Sequence, residues 1–191
     1  MNLFWVLPAV ALAAVLQLVA AAAGLPALLR PDFGLLFAGA AMAFAPKEFV
    51  VFLLFAIGLQ GDLLASARLG QYTLAVLAAG TLMLGTRRDL IRGGGKAAWF
   101  SVTALTFLSH LFYGWLSRLL DSPVQTDGWS HCWRITLAAT LWAWPTALLL
   151  RGILGRLGLM TFEAKEVWEI EREKAVRKRR DKRFKAALRS R

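Results

Sequence analysis

The sequence has little of what most catalytic chemistry and most soluble surfaces are made from. Its 191 residues include one cysteine, Cys132, which excludes an intramolecular disulfide and leaves the redox compartment unindicated. There are two histidines, His110 and His131. His131 sits directly beside Cys132, and adjacency is not a metal-ligand spacing, so no metal or other cofactor is expected. Charge is also scarce: 18% of residues are charged and 58% hydrophobic, with mean hydropathy +0.53. A soluble domain is nearer a quarter charged and half apolar.

Acids are the rarer sign, 12 against 23 Lys and Arg. The excess is uneven: residues 163–191 hold twelve of the basic and six of the acidic residues, a net +6 of the total +11. A basic balance concentrated in a tail and one loop does not argue for nucleic acid. It argues for cytoplasmic segments and an anionic lipid surface.

What the chain has in abundance is apolar runs, too long and too many for one soluble core. They predict an all-α, polytopic integral membrane protein with about six transmembrane helices. The runs are Leu3–Gly24, Phe33–Ala45, Phe49–Ala65, Gln71–Gly85, Ala97–Leu120 and Ile135–Leu150. Residues 1–157 read as the transmembrane domain and 158–191 as a basic cytoplasmic extension. Phe33–Ala45 is thirteen residues, about 20 Å of helix, so it is either a short or tilted arm or a re-entrant segment. Leu3–Gly24 reads as a retained helix, because Met1-Asn2 lacks the basic start of a signal peptide. Pro145 is expected to kink the last span by removing a hydrogen bond to Leu141.

The loop Thr86–Lys96 carries Arg87, Arg88, Arg92 and Lys96 against Asp89 alone, which places it in the cytoplasm. Its glycine run beside Lys96 lacks the spacing of a phosphate-binding loop. Counting spans from this loop and the basic tail puts both termini in the cytoplasm. The polar segment Asp121–Arg134 then lies outside, with Trp129 and Trp133 as interfacial anchors.

Two intramembrane ionisable groups stand out, Asp62 and His110. Asp62 follows an uncharged run, with Gly58 and Gly61 on or next to its helical face. Small residues there let a neighbouring helix approach. Asp62 either caps a helix end at the interface beside Arg68 or anchors helices where they meet. In the second case hydrogen-bonding shape matters more than charge, and Asn should substitute for it. His110 belongs to a stripe with Thr103, Thr106, Tyr113 and Ser117 that should face protein. It serves either interhelical hydrogen bonding or proton and ligand chemistry. No nucleophile–base spacing or paired acids appear in the spans, so no enzyme is expected.

The run Gly58-Leu59-Gln60-Gly61-Asp62-Leu63-Leu64, followed by Leu69-Gly70 and another apolar helix, resembles the core signature of the MreD rod shape-determining family. Arg30-Pro31-Asp32, and Pro46 ahead of the next helix, resemble the segment that precedes it. The resemblance covers roughly 1–157. Gly61 replaces a bulkier residue, Arg68 a proline, and the basic tail is long for the family. The resemblance implies a non-enzymatic inner-membrane scaffold of bacterial cell elongation and peptidoglycan synthesis. Its partners would be MreC, the MreB filament and the RodA–transpeptidase synthase. The family fold is similar to the substrate-binding subunits of energy-coupling-factor transporters, which implies the alternative of a vitamin-type small-molecule-binding transport component.

Overall fold

The computed structural model describes residues 3–24, 26, 30–64, 69–87, 94–120, 128–158, 160, 166 and 169–170. Among them the chain is all-helical, with six α-helices and no strand. After a 3₁₀ turn at Leu3–Trp5 come α1 (Val6–Ala22), α2 (Phe33–Phe44), α3 (Lys47–Leu64), α4 (Gln71–Gly85), α5 (Gly94–Leu119) and α6 (Gly128–Arg156).

The centre of the bundle is α2, FGLLFAGAAMAF, buried at every position from Gly34 to Phe44. Small residues permit this: a Cβ added at Gly39 would lie 2.6 Å from the Val102 Cα on α5. Ser101 Oγ donates to the Gly39 carbonyl at 2.6 Å across the same contact. α2 is tied at both ends. Asp32 is its N-cap, accepting from Leu35 N at 3.0 Å. Gln17 Oε1 on α1 accepts from Phe33 N at 3.2 Å. At the other end the Arg87 guanidinium, just past α4, donates to the carbonyls of Met42 and Ala45. A cation there satisfies orphan acceptors and complements the helix dipole. The twelve-residue segment is one continuous helix held at both of its ends.

One boundary differs from the sequence reading. Residues 128–134, read as part of an outer polar loop, already belong to α6. The helix continues through Pro145. Ahead of the proline, Thr140 Oγ1 donates one turn back to the Thr136 carbonyl at 2.7 Å. The Thr140 carbonyl accepts from the Trp99 indole at 3.2 Å.

Large apolar side chains point outward along the outer helices. On α1 these include Leu7, Val15, Leu18 and Val19, and on α6 Leu137, Leu141, Trp144, Leu148 and Leu149. The interior, by contrast, is rich in Ala, Gly, Ser and Thr. Among the described residues one helical stretch, Cys132–Arg156, is long and apolar enough by itself to cross a membrane. α1, α2 and α4 are shorter apolar helices.

Candidate functional site: the Asp62 joint and the adjoining cavity

Asp62 lies two residues before the end of α3 and is 2% exposed. The next helix, α4, is entered through Gly70, whose φ of 91° is a left-handed conformation that glycine adopts without strain. As N-cap of α4, Gly70 has no side chain to cap with, and Asp62 fills that role from the preceding helix. Its Oδ1 accepts from Tyr72 N at 2.7 Å. Its Oδ2 accepts from Gly70 N at 2.9 Å, Thr73 N at 3.0 Å and Thr73 Oγ1 at 2.5 Å. Four donors converge on one carboxylate, which satisfies the amides a helix start leaves unpaired.

The two glycines make room for this. A Cβ at Gly58 would come 2.7 Å from the Thr73 Cα, and one at Gly61 would overlap the Tyr72 ring. Gly58, Gly61, Asp62 and Gly70 therefore form one joint between α3 and α4. Arg68, the suggested partner of Asp62, lies outside the described residues.

Tyr72 extends the joint. Its backbone N–H goes to Asp62, and its phenol donates to Asp32 Oδ2 at 2.5 Å. One residue thus connects the carboxylate that caps α4 with the one that caps α2. Sequence reasoning passed over Tyr72, Asp32 and Gln17 as site residues. Asp32 carries a readable signal, an Asp immediately before an apolar helical run. Tyr72 is one of only two tyrosines in an apolar chain, which is a weaker signal.

The α5 stripe faces the same region. Thr106, His110, Tyr113 and Ser117 are buried, while Thr103 meets Thr140 Oγ1 of α6 at 3.3 Å. The His110 Nδ1 lies 2.9 Å from the Thr106 carbonyl, an acceptor only, so this nitrogen carries the proton. Ser117 Oγ accepts from Gln71 Nε2 at 2.6 Å. Tyr72 packs edge-on against His110 (centroids 6.2 Å) and Tyr113 (5.5 Å). The two ionisable candidates of the sequence, Asp62 and His110, thereby both contact Tyr72, one at its backbone and the other at its ring.

Beside this cluster is a cavity of about 330 Å³. Its polar lining comes from four helices and the segment before α2: Gln17, Arg30, Asp32, Gln60, Tyr72, His110 and Tyr113. Gln60 Oε1 is buried without a hydrogen-bond partner among the described residues. Gln71 Oε1 and Ser109 Oγ are in the same condition. No group of three or more His, Cys, Asp or Glu side chains suited to a metal ion occurs among the described residues.

No family model matches this chain, and no curated protein or solved structure matches it. The site therefore rests on its own geometry.

Proposed function

We propose that the protein is an inner-membrane scaffold of the bacterial cell-elongation machinery, of the MreD kind, working through protein–protein contacts and not catalysis. The observation that carries this reading is the use made of the signature segment. Asp62 spends both oxygens on the first turn of α4, and Gly58 and Gly61 are filled by Thr73 and Tyr72. A carboxylate so occupied is an architectural element, the use a scaffold has for it.

Placement in a bilayer is supported by the outward apolar faces of α1 and α6, since extensive exposed apolar surface is rare on soluble monomers. Short α2 and α4 are compatible with it. α2, about 18 Å long, is wrapped by protein, and short segments are accommodated by local bilayer thinning. Arg87 and the basic residues after it favour a cytoplasmic position for that end, hence cytoplasmic termini. In this reading the partners are MreC, the MreB filament and the RodA–transpeptidase synthase, with anionic lipid under the basic tail.

Depletion of the protein from rod-shaped cells is the test. Rounding supports the scaffold. Retention of rod shape together with lost uptake of one small molecule supports the second reading, a binding component of a transporter, which the polar cavity favours.

A further inference from the structure

We infer that the cavity beside Tyr72 is a binding site for a small, electrically neutral ligand bearing several hydroxyl or amide groups, of the polyol or sugar class. Its volume of about 330 Å³ is within the span of small-molecule sites.

Charge selects the class. Among the described residues the lining holds one Arg and one acidic side chain, Arg30 and Asp32. Both oxygens of Asp32 already accept, one from Leu35 N and the other from the Tyr72 phenol. A cationic ligand would face Arg30. An anionic ligand would face Asp32. Burying either charge without a dedicated partner is costly, whereas a neutral ligand leaves both groups as they are.

Hydrogen bonding and shape agree with this. Gln60 supplies a buried carboxamide oxygen that has no partner among the described residues, and such an acceptor is stabilised by a ligand O–H or N–H. Tyr72, Tyr113 and His110 form an edge-to-face aromatic wall suited to the C–H face of a ring. Tyr72 is held at its backbone and its phenol, so that wall is preorganised and little ordering is required on binding. A free sugar and the sugar headgroup of a glycolipid share this chemistry. The inference does not depend on the scaffold reading, because binding is measured on the isolated protein and scaffolding by cell shape.

The test uses the full chain in nanodiscs of phosphatidylethanolamine and phosphatidylglycerol. Thermal unfolding is followed while glucose or N-acetylglucosamine is added, with choline and acetate as charged comparators. A separate arm places monoglucosyl diacylglycerol in the disc without free sugar. The expected result is a saturable rise in Tm with a neutral probe, weakened about tenfold in Gln60→Leu and in Tyr113→Phe. A response to free sugar identifies a soluble ligand, and a response only to the glycolipid disc identifies a headgroup. Tyr113→Phe, which deletes one oxygen, keeps the test decisive if Gln60→Leu does not fold. The proposal is overturned if no neutral probe gives a saturable shift. It is equally overturned if choline or acetate matches them, or if the folded variants retain wild-type affinity.

Discussion

The Tyr72 phenol donates to Asp32 across 40 residues of sequence, at 2.5 Å. Because the Tyr72 N–H also donates to Asp62, the starts of α2 and α4 are fixed relative to each other through one side chain. Tyr72→Phe removes only the phenol oxygen and keeps the ring against Tyr113 and His110. We expect a loss of about 1 kcal/mol, the usual net value of one hydrogen bond. Thermal unfolding of Tyr72→Phe, Asp32→Asn and the double variant checks it. The double variant should cost less than the two single losses combined, because the residues share a bond.

Asp62 gives the sharpest mutational contrast. The sequence reading expected Asn to replace it, on the ground that shape outweighs charge. The geometry reverses that expectation, because every group facing the carboxylate is a donor. An Asn amide must turn its own N–H₂ toward either Tyr72 N or the Gly70 and Thr73 amides. Asp62→Asn should therefore lose about 1–3 kcal/mol, approaching the loss for Asp62→Leu. Equal unfolding temperatures for wild type and Asp62→Asn, in the same lipid disc, would contradict the capping account.

Glycine positions separate close packing from helix propensity. Gly→Ala in an open helical position gains up to about 1 kcal/mol. Gly114, with nothing within 4 Å of its virtual Cβ, should show that gain or no change. At Gly58 and Gly39 the new methyl meets the backbone of Thr73 and Val102, which cannot swing aside. Both variants should lose about 1–3 kcal/mol to overpacking. Unfolding temperatures of the three alanine variants give the comparison directly.

Orientation is testable by labelling. In a Cys132-free background, single cysteines within 121–127 should react with an impermeant reagent added to intact cells. Cysteines in 163–191 should be protected until the membrane is opened. External labelling of the tail would invert the proposed orientation.

Much of the architecture is legible in the sequence because apolar runs and their breakers are local signals. Gln71–Gly85 coincides with α4, and Pro46 separates α2 from α3. The face shared by Gly58, Gly61 and Asp62 also follows from helical spacing alone. What occupies it does not. That Asp62 caps the next helix depends on a reversal of chain direction between Leu64 and Gly70, and no periodicity encodes the residues that end up in contact. Helix α6 begins at Gly128, in a stretch whose Trp, Ser, His and Arg read as loop, because polarity at a helix end is indistinguishable from polarity in a turn. The cavity is not legible for a related reason: its polar lining is drawn from four helices and the segment before α2, each contributing one or two residues.

Under the proposed function this chain serves cell elongation as a scaffold. The most direct measurement is quantitative mass spectrometry of the full-length protein purified from native membranes under mild solubilisation. The scaffold account predicts stoichiometric enrichment of MreC, with the elongation synthase alongside, and loss of both with Asp62→Leu at matched expression. Recovery of a transport ATPase and its membrane subunit, with no elongation protein enriched, would contradict it.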